Sequence, residues 1–257
     1  MMSRSTCMRS TALWTVLLAT TLSAQAGELI SNGGFEANVG LTQSPDNITG
    51  WHTLEGGLIG SIASLPDTTS PGSGHTTVGA GSGSNYALLD LSQPAYSVLY
   101  QNFTVPTAGV SGGQLSYSLF ATSYANLQPP ELTPFSGLNF ESSEPLLTVR
   151  VDILKPGADL LSTNNADLIK TYFPTVEYFG SDAAPTGYHS YLHSLSGVDL
   201  LAGQTYTLRF SAAANTAQAL VGIDNVSLTV SSVPEPTTLA LLGAGLAVIG
   251  LASRRRA

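Results

Sequence analysis

The sequence predicts an all-β fold, a single β-sandwich set between two terminal segments of different character. The 257 residues include 26 Gly and 14 Pro, while charged residues make up only 10% of the chain. Between the two ends, short runs of period-two apolar alternation recur, and turn residues bound them. This composition and this periodicity are typical of many short strands joined by turns, rather than of a helical bundle.

The N-terminal segment, residues 1–26, predicts a secretory signal peptide. Arg4 and Arg9 precede an apolar run over residues 12–22, and a small-x-small sequence ends at Ala26. Signal peptidase recognises this order of basic region, apolar region and small residues. The apolar run is short for a bilayer core about 30 Å thick, which favours cleavage before Gly27 over a retained anchor. We therefore expect the secretory translocon and signal peptidase as partners, and a body that works outside the cytoplasm.

The C-terminal segment, residues 233–257, has three successive parts. Two prolines separated by one residue stop a strand. An apolar stretch over residues 237–252 predicts a transmembrane helix, and a basic cluster directly after it holds that end in the cytoplasm. The motif residues are Val233, Pro234, Glu235, Pro236, Arg254, Arg255 and Arg256. The alternative is an ordinary buried terminal helix.

In sequence, hydropathy and charge, this segment resembles the PEP-CTERM sorting signal of Gram-negative bacteria. The resemblance implies recognition by an exosortase-type membrane peptidase after transient anchoring in the inner membrane. It also implies cleavage near the Pro-Glu-Pro sequence and delivery of the body to the cell surface or to an extracellular biofilm matrix. The motif residues would then be a substrate and not a catalyst.

The body between these ends, residues 27–231, is acidic and free of cysteine. Sixteen acidic residues stand against four basic ones, a net charge near −12. A surface of this sign excludes nucleic acid as a partner and leaves cations and neutral polymers such as glycans. The only cysteine, Cys7, would leave with the signal peptide, so the mature chain forms no disulfide.

The body reads as one domain with at least six strands. They are predicted at residues 86–91, 98–105, 114–121, 146–154, 204–212 and 219–230. Two long stretches rich in Ser, Gly, Pro and Thr, residues 66–85 and 123–145, are predicted loops. Loops of this length in a compact domain are often binding sites, and disordered decoration is the alternative.

Several short segments of the body resemble a galactose-binding-like jelly roll. They are residues 29–36, 50–51, 85–91, 101–106 and 222–228. Exported proteins of the DUF642 type and several carbohydrate-binding modules have a similar opening and close. The resemblance implies that the first and last strands meet, and that Glu36 and Asp224 help to bind a structural calcium ion with backbone carbonyls. In the alternative, Glu36 caps the turn after Asn32, and Asp224 with Asn225 holds a strand-end turn.

Binding a glycan requires aromatic rings beside hydrogen-bonding groups. Trp51, Tyr124, Tyr188 and Tyr191 are the candidates, and packing in the core is the alternative for Trp51 in particular. His189 and His193 are four residues apart in an extended segment, which disfavours a metal pair.

Two further patterns offer weak chemistry. The Gly-x-Ser-x-Gly sequence at residues 109–113 precedes a strand and not a helix, so it predicts a hairpin turn. Glu141 and Glu144, the nearest local pair of acids, are interpreted as a solvated patch.

These observations predict a non-enzymatic surface or matrix protein without catalytic residues, with glycan or exopolysaccharide contact as one part of its role. A secreted hydrolase acting on polysaccharide or ester is the first alternative. A purely structural matrix component is the second.

Overall fold

A computed structural model describes residues 26–38, 42–43, 47–57, 60–92, 94–123, 138, 140–141, 147–172, 179–180, 187–215, 219–232, 242–243, 245–246 and 253. These residues form an antiparallel β-sandwich of two sheets, which confirms the predicted fold class. The predicted signal peptide up to residue 25 and the motif residues of the C-terminal segment lie outside the described residues.

Thirteen strands follow one another along the described part of the chain. They are β1 (Ala26–Glu28), β2 (Thr42–Gln43), β3 (His52–Gly57), β4 (Gly60–Leu65), β5 (Tyr86–Leu91), β6 (Ala95–Thr104), β7 (Val110–Ser123), β8 (Leu147–Leu154), β9 (Leu168–Thr171), β10 (Phe179–Gly180), β11 (His189–Ser194), β12 (Thr205–Ala214) and β13 (Ala219–Ser232).

The larger sheet has eight strands and runs β10-β7-β13-β5-β4-β2, with β1 beside β13 and β11 beside β7. The smaller sheet has five strands in the order β3-β6-β12-β8-β9. Pairing is antiparallel except between β10 and β7, which run parallel. Because the chain crosses between the two sheets several times, segments distant in sequence meet within each sheet.

The main core lies between the two sheets and follows from period-two alternation. Leu99, Val151 and Phe210 face inward from the smaller sheet, opposite Leu89 and Val221 of the larger one, and all five are buried. Dispersion and loss of water contact at such positions supply most of the stability of a chain without disulfides.

The predicted loop over residues 66–85 is packed in part against the sandwich, although many of its residues are exposed. It packs on the outer face of the larger sheet, where Val78 and Ala80 rest against Tyr86, Phe120 and Leu220. Strand β5 is therefore buried on both faces along its whole length. The second predicted loop, residues 123–145, lies mostly outside the described residues.

The two ends of the body meet in one pair of strands, as the jelly-roll resemblance implies. Ala26 lies opposite Ser231, and Glu28 accepts hydrogen bonds from the amide of Leu228 at 2.8 Å and the hydroxyl of Ser227 at 2.5 Å. The predicted cleavage point before Gly27 is thus adjacent to the start of the C-terminal segment. Both terminal segments leave the body at one corner of the larger sheet.

Five residues of the C-terminal segment are described, and all are helical: Leu242, Gly243, Gly245, Leu246 and Ser253. The rest of the transmembrane helix predicted over residues 237–252 lies outside the described residues. Within the described residues, no helix has the length and apolar character needed to cross a membrane.

Candidate functional site

A strip of aromatic and polar side chains lies on the outer face of the five-stranded sheet. Alternation along β6 sends Tyr96, Tyr100 and Asn102 outward, and register places His52 of β3 directly opposite Tyr100. The His52 and Tyr100 ring centroids are 5.3 Å apart with planes 31° from parallel. Tyr96 packs in the same way against Phe140, at 5.8 Å.

Hydrogen-bonding side chains border these rings. The Thr207 hydroxyl donates to the Asn102 side-chain carbonyl at 2.7 Å, and the hydroxyls of Thr104 and Thr205 pair at 2.9 Å. His52 and Asn102 are exposed, while Tyr100 and Thr207 are half-buried. We call His52, Tyr96, Tyr100, Asn102 and Thr207 the outer-face platform.

A buried ion cluster forms the floor beside the platform. Arg209 of β12 lies opposite Tyr100 of β6 on one side and opposite Asp152 of β8 on the other. The side chains of Arg209 and Asp152 form an ion pair, and both are fully buried. The Asp152 carboxylate accepts five hydrogen bonds, from both nitrogens of Arg150 that face it, from two nitrogens of Arg209 and from the Thr171 hydroxyl. Burial lowers the pKa of Arg209, and the Asp152 charge opposes that shift.

The same arginine fixes a loop over the sheet. Arg209 Nη1 donates to the carbonyls of Leu160 at 2.6 Å and of Ser162 at 2.9 Å. The loop between β8 and β9 is therefore held against the outer face by buried, charge-assisted hydrogen bonds.

Glu36 and Asp224 hold one loop between them. The amides of Gly81 and Ser82 donate to Asp224 Oδ2, both at 2.9 Å, and Asn225 donates to Oδ1 at 2.6 Å. Glu36 Oε1 accepts the amides of Ser84 and Asn85, both at 2.8 Å. Burial raises the pKa of Asp224, and the three amides oppose that shift.

These contacts do not fit a calcium site. Calcium takes six to eight oxygen ligands, whereas five N–H groups converge on the two carboxylates here. The positive ends of those N–H dipoles point at Glu36 Oε1 and at both carboxylate oxygens of Asp224. Among the described residues no three His, Cys, Asp or Glu side chains lie together. The pair instead clamps the loop over residues 81–85.

We expect calcium to leave the stability of the protein unchanged. A module with a typical extracellular calcium site, whose Kd is about 0.1–1 mM, would gain about 1.4–2.7 kcal/mol at 10 mM calcium by mass action, which is about 3–11 °C in Tm. Thermal unfolding with 10 mM calcium and with a chelator checks this. A Tm that rises with calcium in the wild type, but not in Glu36→Gln, would contradict this expectation and support a calcium site at Glu36.

An aromatic cluster closes one edge of the sandwich. Tyr117 of β7 stacks on Tyr191 of β11 with centroids 5.0 Å apart, and its hydroxyl lies 3.2 Å from His193 Nε2. Tyr172, which follows β9, contacts the His193 ring at 4.6 Å. Burial raises the pKa of Tyr172 to about 12, raises that of Tyr117 further, and lowers that of His193.

Alkaline pH is expected to unfold the protein through its buried tyrosines. Burial raises the pKa of Tyr86 and Tyr172 from 10 to about 12, and it also raises the pKa of Tyr117 and Tyr188. The folded state keeps these protons, so their stabilising effect is complete below pH 10 and is lost as pH rises through 10 to 12. Tyrosinate absorbance followed together with circular dichroism checks this. Ten tyrosines titrating together near pH 10 in a folded protein would contradict it.

The predicted ligand-binding aromatics have structural roles where they are described. Trp51 is buried between Phe35 and Phe210, with its indole N–H donating to the carbonyl of Asn32 at 3.1 Å. Tyr188 donates to the carbonyl of Gly79 at 3.0 Å and so ties down the covering loop. Tyr191 belongs to the edge cluster, and Tyr124 lies outside the described residues.

The remaining candidates are placed as follows. His189 and His193 share one face of β11, and His193 contacts aromatic rings. Gly109 closes a turn on Pro106 at 2.8 Å immediately before β7, but β6 and β7 lie in different sheets, so this turn connects the two sheets and the predicted hairpin is wrong. Glu141 is exposed, and Glu144 lies outside the described residues. The prediction missed the platform, whose signal was the spacing of Tyr96 and Tyr100 on one face of a strand.

Comparison with known families identifies the C-terminal segment. The family model of the PEP-CTERM protein-sorting motif matches residues 232–256. The chain carries a PEP-CTERM sorting motif. The predicted resemblance is thereby confirmed, and the protein is an exported one with a C-terminal membrane anchor. The motif includes Val233, Pro234, Glu235, Pro236, Arg254, Arg255 and Arg256.

Comparison with solved structures finds matches at low sequence identity. An apo cyclase from Fischerella sp. is 19% identical, with 83% of this chain and all of that chain covered and a TM-score of 0.45. A carbohydrate-binding module of the β-sandwich superfamily is 9% identical, with 77% of this chain and 61% of that chain covered and a TM-score of 0.45. TmCBM61, solved in complex with β-1,4-galactotriose, is 13% identical, with 79% of this chain and 97% of that chain covered and a TM-score of 0.37. No curated protein matches the sequence. These similarities concern architecture and extend to no ligand or reaction.

Proposed function

We propose that this PEP-CTERM protein is a non-enzymatic surface or matrix protein that binds a neutral glycan on its outer-face platform. The observation that carries the proposal is the His52 and Tyr100 ring pair beside the side-chain amide of Asn102. Sugar rings have an apolar C–H face and a polar rim, and such a strip offers a partner to both.

The residues of the platform have different roles in the proposed binding. The Tyr100 ring packs against the C–H face of a sugar, and His52 extends that surface. Asn102 and Thr207 already bond each other at 2.7 Å, which fixes the orientation of the amide before the ligand arrives. Pre-organised polar groups lose little entropy on binding, so they add affinity and set the orientation of the chain of sugars.

Charge favours a neutral ligand at this face. The body has a net charge near −12, and its two arginines are bound to Asp152. An anionic polymer approaching the platform would therefore meet repulsion from the surrounding acids. A neutral hexose or pentose polymer meets none.

The buried acid beside the platform, Asp152, is unsuited to hydrolysis. Glycoside hydrolysis needs two carboxyl groups flanking the bond, one of them able to exchange a proton. Asp152 is completely buried, and its oxygens already accept five hydrogen bonds from Arg150, Arg209 and Thr171. A carboxylate held in this way stabilises the sheet and does not take part in proton transfer. This supports a binding role over the hydrolase alternative.

The sorting part of the proposal is cleavage by an exosortase-type peptidase near the Pro-Glu-Pro sequence. The body ends at Ser232, so that sequence follows directly from the corner where β1 and β13 meet. Cleavage there would release the folded body with both terminal segments removed, and deliver it to the surface or to the extracellular polysaccharide.

Affinity electrophoresis of the mature protein tests the platform. Gels containing the neutral polymers galactan or hydroxyethyl cellulose should retard the wild type, and Tyr100→Ala and Asn102→Ala should each weaken binding about tenfold. Tyr191→Ala, at the edge cluster of the other sheet, is the matched control and should bind normally. Retardation of no variant, or loss only in Tyr191→Ala, would overturn the assignment. Release of reducing ends from either polymer would instead favour the hydrolase.

A further inference from the structure

A separate cleft of about 440 Å³ opens at an edge of the sandwich. One wall is β9 with Lys155, and the other is the segment that follows β11. Leu168 and Val198 contribute apolar surface, and the polar side chains that line it belong to Lys155, Lys170, Ser194, Ser196 and Asp199. Its volume falls within the roughly 300–1,000 Å³ of ligand pockets.

The positive charge of this cleft is unusual for the molecule. The body has four basic residues, and two of them, Arg150 and Arg209, are buried against Asp152. The other two are Lys155 and Lys170. Both lysines are exposed, and both line the cleft. All of the accessible side-chain cations of the body therefore meet at one place on an acidic surface.

The two ammonium groups are available to a ligand. Lys155 Nζ donates one hydrogen bond, to the carbonyl of Ala166 at 2.6 Å, which holds it in the wall and leaves two of its three N–H groups. Lys170 pairs with β8 through its backbone, and its ammonium group makes neither a hydrogen bond nor an ion pair with any residue that the structure describes. Lys170 is also two residues from Tyr172 along an extended segment, so the lysine continues the aromatic edge cluster.

We propose that this cleft binds a carboxylated sugar, a uronic acid unit of an acidic polysaccharide. Its carboxylate lies between Lys155 and Lys170, and its C–H face lies against Leu168 and Val198. The ring hydroxyls form hydrogen bonds with Ser194, Ser196 and Asp199. The Asp199 carboxylate accepts these hydrogen bonds. Asp199, in the wall opposite the lysines, repels a doubly charged phosphate more strongly than a singly charged carboxylate.

This site is independent of the outer-face platform, since it differs in its residues, its place in the fold and its ligand charge. A protein that holds a neutral chain on one face and an acidic chain at an edge would connect two polymers of a matrix. The two assignments also fail separately, because each has its own polymer and its own variants.

Calorimetric titration of the mature protein with tetragalacturonate tests the cleft. The double variant Lys155→Gln/Lys170→Gln should raise the Kd about tenfold, from the loss of two exposed ion pairs, and 0.5 M NaCl should weaken wild-type binding to a similar extent. The double variant Lys155→Arg/Lys170→Arg keeps the charge and should retain most of the affinity. Tyr100→Ala should bind the acidic oligomer normally.

Three results would overturn the proposal. The first is absence of binding by the wild type, with its Tm unchanged by the ligand. The second is equal affinity of the wild type and the glutamine variant, both folded by circular dichroism. The third is equal affinity for the methyl-esterified oligomer, which has the same rings without the charge, or for a sulfated oligosaccharide, which has charge without the carboxylate.

Discussion

Replacing Asp152 with asparagine is expected to lower the free energy of unfolding by about 3–5 kcal/mol. The change leaves Arg150 and Arg209 in a buried layer without their counter-charge, and it replaces one of the two acceptor oxygens by an NH2 group that faces their donors. Breaking one side of a buried pair is more damaging than removing the pair, because the remaining charge stays without water. Urea unfolding at neutral pH, followed by tryptophan fluorescence, measures the loss.

Asp159→Asn is the matched control for this prediction. Asp159 is exposed in the loop that Arg209 holds, and it accepts the amide of Leu161 at 2.9 Å, which asparagine can also do. We expect its unfolding free energy to stay within about 0.5 kcal/mol of the wild type. Equal losses in the two variants would show that Asp152 does not hold the arginines.

Replacing Gly33 with alanine is expected to lower the free energy of unfolding by about 3 kcal/mol, at the upper end of overpacking effects. An added Cβ would lie 1.8 Å from the carbonyl oxygen of Val226, in the last strand. The amide of Val226 also donates to the carbonyl of Gly33 at 2.9 Å, so the clash forces apart two backbones that are bonded to each other. Relief requires movement of the first segment away from β13.

Gly34→Ala, one residue along, provides the control. Its added Cβ would meet only Asp224 Oδ1 and Glu36 Cγ, both at 3.9 Å, which is ordinary van der Waals contact. We expect a change below about 1 kcal/mol in the same urea experiment. If the two alanine variants have the same free energy of unfolding, the close approach of the Val226 backbone is not the reason for glycine at position 33.

The long strands were predictable because their apolar alternation is strong. The prediction for β5, residues 86–91, agrees with the structure, and those for β6, β7, β8, β12 and β13 differ only at their ends. The strands that were not predicted are β1, β2, β3, β4, β9, β10 and β11. In β3 the sequence HTLEGG has a glycine pair and one large apolar residue, so its pairing with β6 decides its conformation.

The candidate sites were likewise predictable from the sequence only in part. Sequence motifs placed Glu36 and Asp224 together, and the structure explains the pairing by five amide donors that no spacing reveals. The platform depends on the register between β3 and β6, which the sequence does not specify. The two lysines stand 15 positions apart, and only the turn between β8 and β9 brings them to one cleft.

The central claim is that the working protein is an exported body freed of both terminal segments. Intact-mass analysis of the protein recovered from the producing cells and from their medium tests it most directly. We expect a chain that begins at Gly27 and ends within or next to the Pro-Glu-Pro sequence, residues 234–236. A chain in the medium that still ends at Ala257, in cells that contain an exosortase-type peptidase, would contradict the claim.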